Sequence, residues 1–279
     1  MVETILQNTS RHTSWHWQTW ENLPYLTCSL LRDWEHGFFT QHFSPRSPSE
    51  IVGALQRDAQ VYRVRQVHGN TILTPSEIER AAETVKNQGE EQPERPPADG
   101  IVTEQTGQAV WVCTADCTPV LIADEKTGQV AAIHAGWRGT ATRIVPNAIA
   151  RMIDSGSRIE NLRVAMGPAI AGEVYQVSET VAAEVGANLL PPDTAATTQS
   201  ILDFLQQLPN SPILDDPKPE RVRLDVRRVN ALQLEQLGIH PEQVAIAPHC
   251  TYQQPEYFFS YRRNKLKKVQ WSGIVSKKC

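Results

Sequence analysis

Cysteine is scarce in this chain: its 279 residues include five, Cys28, Cys113, Cys117, Cys250 and Cys279. An odd and sparse set is no disulfide scaffold, and it suits a reducing compartment. Cationic excess is missing too, because 27 Lys and Arg stand against 31 Asp and Glu, a formal net charge of −4. No global basic field draws the chain to nucleic acid or to an anionic membrane. Long apolar runs are absent; none approaches the roughly 18 residues that a spanning helix needs. The first twenty residues, MVETILQNTSRHTSWHWQTW, hold no basic stretch followed by an apolar one, so no signal peptide is expected. These absences predict a cytoplasmic protein with neither membrane nor nucleic acid as partner, a monomer or a small homo-oligomer.

The composition present is globular, 40% hydrophobic and 21% charged. Two stretches read as surface insertions. One is 79–98, rich in charge and proline; the other is 186–221, with a short apolar segment at 201–208 among Pro191, Pro192, Pro209, Pro212, Pro217 and Pro219. Candidate site residues flank the first insertion, so residues 1–279 are expected to form one domain. Strands are predicted at 61–67 from strict alternation, and at 109–113, 119–123, 130–134, 162–166 and 244–247 from short apolar runs. Helices are predicted at 141–153, where Pro146 marks a kink or the true start, and at 178–188 and 225–237. The last opens at Asp225, a good N-cap, and stops at Gly238. Interleaved strands and helices give an α+β or mixed α/β class.

Three segments place soft metal ligands beside Gly and Asp. In Gln66-Val67-His68-Gly69-Asn70, the histidine ends an alternating run at a Gly-Asn turn, which presents it to a cleft. In Cys113-Thr114-Ala115-Asp116-Cys117-Thr118-Pro119, the proline predicts an irregular backbone. Cys-x3-Cys is not the usual zinc-knuckle spacing, so at most one of that pair is expected to bind metal. In His134-Ala135-Gly136-Trp137-Arg138-Gly139, an apolar run ends in histidine and a helix follows, with Arg138 as a planar fork for phosphate or carboxylate. Trp137 reads as a packing residue before a stacking platform. His68, Cys117 and His134 together make a three-ligand set with an open fourth position, the pattern of catalytic zinc; a thiolate set also accepts copper.

These strings, with Ala98-Asp99-Gly100, Gly167-Pro168-Ala169-Ile170, Cys250-Thr251-Tyr252 and Phe259-Ser260-Tyr261-Arg262-Arg263, resemble the motif series of the YfiH-like family, also called the polyphenol oxidase or laccase-domain family. The resemblance spans roughly 35–265. It implies a single-domain layered α/β/β/α sandwich related to a toxin-deamidase fold, with metal ligands His68, Cys117 and His134. It also implies purine nucleoside phosphorolysis on adenosine, inosine and methylthioadenosine, adenosine deamination, or copper-dependent phenol oxidation. A bacterial branch is linked to quality control of peptidoglycan precursors. This chain departs from the pattern at Phe39-Thr40-Gln41-His42-Phe43, where Thr-x-Arg and Gly-Gly are missing, and in its tail, where seven basic and no acidic residues run from Arg262 to Lys278.

The leading expectation is a zinc-dependent purine nucleoside phosphorylase with adenosine deaminase side activity, taking a nucleoside and phosphate. Arg138 and one of Arg262 or Arg263 are the phosphate candidates, and Asp116 or Asp99 the proton shuttle. Asp99 before Gly100 equally reads as a turn residue, and Asp116 beside Cys117 as a group that bonds backbone. Asn70 is a candidate substrate contact, and Tyr175 and Gln66 are candidate cleft residues. Two alternatives use the same residues: a copper-dependent polyphenol oxidase, and a metal-free Cys-His hydrolase or amidase with Cys117 as nucleophile and His134 as base. The chain's eight histidines show no repeated His-x-His pairs, which weighs against a multicopper centre. Trp15, Trp17 and Trp20 read equally as packing element or contact surface.

Overall fold

The computed structural model describes residues 14–87, 95–191 and 195–278. His12, Cys279 and parts of both expected insertions, 88–94 and 192–194, lie outside the described residues. The strands are β1 (Trp15–Trp20), β2 (Leu23–Cys28), β3 (His36–Phe39), β4 (Gln60–Tyr62), β5 (Ile72–Leu73), β6 (Gly100–Val102), β7 (Gln108–Thr114), β8 (Thr118–Asp124), β9 (Val130–Ala135), β10 (Leu162–Met166), β11 (Gln176–Ser178), β12 (Ile213–Asp215), β13 (Arg221–Leu224), β14 (Val244–Ile246) and β15 (Gln270–Val275). The helices are α1 (Pro48–Ile51), α2 (Pro75–Asn87), α3 (Trp137–Ala141), α4 (Ile144–Asp154), α5 (Glu179–Ala187), α6 (Thr198–Gln207), α7 (Val226–Gln236) and α8 (Tyr261–Asn264).

One sheet runs β1-β2-β3-β15-β7-β4, the second β14-β10-β8-β9-β6-β5, and a small third β11-β13-β12. Pairing is antiparallel except for β4 with β7, β5 with β6 and β10 with β14. Strand β8, TPVLIAD, is buried at every position. Its Leu121 and Ala123 meet Val110, Val112 and Ile274 of the first sheet in a core between the sheets. Val120 and Ile122 alternate to the opposite face, under Ile149 of α4 and Leu234 of α7. A strand covered on both faces reads as a continuous apolar run, and each such Leu or Ile contributes about 1.5–3 kcal/mol. The outer face of the first sheet is covered by Phe43, Ile51 and Leu55 packed on Phe39 and Trp111. The layering is α/β/β/α, a mixed α/β architecture.

Several expected elements differ. The alternating run at 61–67 is strand only to Tyr62, because the Gln66 side chain stands in for the ladder. Its amide donates to the Cys113 carbonyl at 2.7 Å and accepts from the Cys113 N–H at 2.8 Å. The helix expected at 141–153 is α4, which starts at Ile144 after Arg143 with φ +60; Pro146 therefore marks the start rather than a kink, since in the first turn its missing N–H has no intrahelical partner to lose. Pro119 lies inside β8 rather than in an irregular segment; its carbonyl accepts the Gly167 N–H at 2.9 Å, and only one bond at the strand's end is forfeited. The stretch 79–98 begins as helix α2. The stretch 186–221 carries α6, β12 and part of β13, whose Ile201, Leu205, Ile213 and Leu224 share a core with α5 and α7. Helix α7 keeps its expected bounds: the Asp225 carboxylate accepts from the Arg227 and Arg228 amides, and Gly238 takes φ +84.

Candidate metal centre

His68 stands in the turn that follows the Gln66 clamp, with φ +61. Cys117 closes the turn from β7 to β8, after Asp116 at φ +93. His134 lies near the end of β9, opposite Pro119. Their ligand atoms all fall within 4.8 Å of one another, the one such group among the described residues. The two imidazole rings sit edge to face with centroids 4.8 Å apart. His134 is 3% exposed whereas His68 is exposed, so the cluster has a buried floor and one open side. At Gly136 a Cβ would lie 3.0 Å from the Cys117 Sγ and 3.5 Å from the His68 ring, so the hydrogen of glycine leaves room for the donors.

Electrostatics favour a metal-ready state. Burial alone would raise the Cys117 thiol, but His134, and then His68, outweigh it and hold the thiol below its ordinary value. Burial alone would lower His134, but the Cys117 thiolate and Asp99 raise it. Each group thus favours the charged form of the other, and a cation bound there would take over the role of the proton between them. Asp99 is wholly buried. It accepts from His134 Nδ1 at 2.8 Å, which leaves Nε2 of that ring for an ion. It also accepts the backbone N–H groups of His68 at 2.9 Å and Gly69 at 2.7 Å. Two imidazoles and one thiolate fit zinc with an open fourth position, and they fit copper as well.

The other candidates separate into facing and supporting groups. Asp116 accepts the Thr251 hydroxyl and the Arg262 backbone N–H, one on each carboxylate oxygen, both at 2.7 Å. It therefore ties the start of α8 to the Cys117 turn. Arg262 lies 4.7 Å above the Tyr175 ring and donates to the Gln176 carbonyl. Arg138 is exposed, 4.3 Å over the Trp137 ring. Tyr175 feels the charges of Cys117, Arg262, Asp116 and Arg138; burial foremost, then the thiolate, pushes its phenol up to about 12. With Cys117, Trp137 and Ile170 it lines a cavity of about 30 Å³, room for a water and not for a nucleoside. Any larger molecule that reaches the cluster does so from the open side, where His68 and Arg138 are exposed. A larger cavity of about 630 Å³, lined by Trp34, His36 and Arg163 among others, shares no residue with the cluster.

Two expectations change here. Asp99 has no exposed surface and its oxygens are taken, so it stands behind the donors rather than against substrate. Asn70 stays at the surface, exposed, with one amide N–H donated to the Thr142 carbonyl at 3.0 Å. Arg263 donates to the carbonyls of Thr251, Tyr252 and Phe258, which leaves Arg262 as the member of that pair beside the site. Thr251 was not singled out from the sequence as an individual residue; its signal was membership in the Cys250-Thr251-Tyr252 string.

An α/β sandwich with one His2Cys donor set at its turns and strand ends defines the class. Residues 47–275 match the family described as multi-copper polyphenol oxidoreductase laccase, and the chain belongs to that family. A purine nucleoside phosphorylase of Synechocystis sp. is 51% identical over 262 residues, 94% of this chain and 97% of that protein. An adenosine deaminase of an unknown prokaryotic organism is 28% identical over 165 residues, 59% of this chain and 56% of that protein. The crystal structure of YlmD from Geobacillus stearothermophilus has the same fold, with a TM-score of 0.72 over 94% of this chain and 99% of that one at 22% identity. Among the described residues no helix is long and apolar enough to cross a membrane.

Proposed function

We propose that the chain is a zinc-dependent purine nucleoside phosphorylase acting on adenosine, inosine and methylthioadenosine. The observation that carries this reading is the 51% identity, across nearly both lengths, to the Synechocystis phosphorylase. In the reaction a phosphate oxygen bonds to C1′ of the ribose, the C1′–N bond breaks, and the purine leaves with its electron pair and takes up a proton. His68, Cys117 and His134 would hold the zinc, which would supply positive charge for orienting a substrate oxygen. Arg138, whose guanidinium rests on Trp137, and Arg262, which rests on Tyr175, hold the phosphate by paired N–H donors. Both rings pre-order their arginines, which lowers the entropy cost of gripping the anion. Asp116 fixes Arg262 beside Cys117 through the main chain and is a positioning group in this scheme. Adenosine deamination, in which water oxygen replaces the C6 amino group and ammonia leaves, is proposed as a side activity because of the deaminase relative.

The run Asp99–His134–Cys117 favours a second reading, a metal-free Cys-His hydrolase, because each member is held against the next. A copper-dependent phenol oxidase is the third, from the family's description. Ribose 1-phosphate formation from adenosine and phosphate by the purified protein tests the proposal. Arg138→Ala is expected to raise KM for phosphate at least tenfold, the loss of about 1.4 kcal/mol that one charge-assisted contact supplies. Phosphate-independent cleavage or deamidation by the wild type, without ribose 1-phosphate, refutes it.

A further inference from the structure

We propose that Asp99 is a positioning residue that couples the two histidine donors, so that the donor set is preformed before any ion arrives. The proposal rests on the reading that His68, Cys117 and His134 hold a metal. One carboxylate serves both histidines by different means. It fixes the His134 ring directly, through Nδ1 at 2.8 Å. It fixes His68 through the backbone: the N–H groups of Val67, His68 and Gly69 converge on it at 3.2, 2.9 and 2.7 Å. Successive amides aimed at one point form an anion-binding nest, and the φ of +61 at His68 belongs to such a turn. Here the anion is covalently part of the chain. The main chain of Asp99 is held as firmly, its N–H on the Thr71 carbonyl at 3.0 Å and its carbonyl on the His134 N–H at 2.7 Å. Next to it, a Cβ on Gly100 would meet the Ile72 side chain at 2.5 Å, so β6 packs closely on β5 here.

An asparagine at this position keeps the size but turns one oxygen into an N–H donor that faces other donors. The coupling therefore breaks without a cavity. The experiment measures zinc affinity of metal-stripped full-length protein by competition with a chromophoric chelator, for wild type, Asp99→Asn, His68→Ala and the double variant. Asp99→Asn is expected to weaken zinc roughly 10- to 100-fold, the range for a group that orients a ligand. Its effect is expected to shrink in the His68→Ala background, because the nest then orients no donor. The Gly69 amide is expected to exchange slowly in metal-free wild type and fast in Asp99→Asn. Should Asp99→Asn not melt cooperatively, Asp99→Glu, which keeps the charge but moves it by one methylene, takes its place with the same expectations. A wild type that binds no zinc overturns the metal reading, and Gly69 exchange then still decides the coupling. Wild-type affinity in a folded Asp99 variant, or the same penalty with and without His68, overturns the coupling.

Discussion

Replacing Gly136 by alanine tests the donor geometry without touching a donor. Gly136 has φ −74 and ψ 170, extended backbone that alanine adopts freely, so no conformational penalty enters. The new methyl would stand 3.0 Å from the Cys117 Sγ. Ordinary contacts between non-bonded heavy atoms lie at about 3.5–4.0 Å, so the thiol has to retreat by a few tenths of an ångström. Metal–ligand distances tolerate about 0.2 Å around a zinc–sulfur bond near 2.3 Å. The retreat exceeds that tolerance, and zinc affinity is expected to fall about tenfold or more, at least 1.4 kcal/mol. The metal-free protein loses about 1–3 kcal/mol from overpacking and stays folded. Chelator competition reads the first effect and urea unfolding the second. A folded Gly136→Ala that binds zinc as tightly as wild type would falsify the placement of the thiol in the donor set.

Three further outcomes follow from particular contacts. His36 is buried, accepts the Cys28 N–H at 2.8 Å, and burial, against a bond from its own ring to the Trp34 carbonyl, lowers it from 6.5 to about 4. Below pH 6.5 the unfolded chain takes up a proton that the folded chain refuses, so stability is expected to fall by up to about 3 kcal/mol between pH 6.5 and 4. Urea midpoints across that range should flatten in a folded His36→Gln and remain steep in wild type; equal slopes contradict the assignment. Arg263→Ala frees three carbonyls and is expected to cost about 1–3 kcal/mol of stability, with no selective change in KM for phosphate, the opposite pattern to Arg138→Ala. Asp225→Ala removes the cap of α7 and is expected to lower stability by about 1 kcal/mol in the same unfolding assay.

Much of the fold was legible because its signals are local. The apolar runs of β7, β8 and β9 are strands with both faces covered, and α7 begins and ends on residues whose own chemistry caps it. His68, Cys117 and His134 stood out for the same reason: each follows a patterned run at a turn or strand end, and the structure brings the three together. The rest depends on partners far along the chain. Alternation at 61–67 does not reveal that Gln66 will clamp Cys113, 47 residues away. A lone Asp-Gly pair does not reveal that Asp99 will collect two histidines. Nor does spacing show that Thr251 reaches Asp116 across 135 residues. The third sheet was hidden because prolines in 186–221 read as loop, although they only separate α6, β12 and β13. The Trp residues near the start divide between roles: Trp20 stacks on Phe43, and Trp17 is 40% exposed while it packs on Tyr257 and His249.

The most direct test of the central claim is the metal content of the native protein, measured together with adenosine phosphorolysis for wild type, His68→Ala, Cys117→Ala and His134→Ala. About one zinc per chain, as a three-ligand open site holds, lost along with ribose 1-phosphate formation in all three variants, is the predicted result. A metal-free wild type whose activity survives His68→Ala but dies with Cys117→Ala or His134→Ala would contradict it and make the pair a thiol nucleophile and its base.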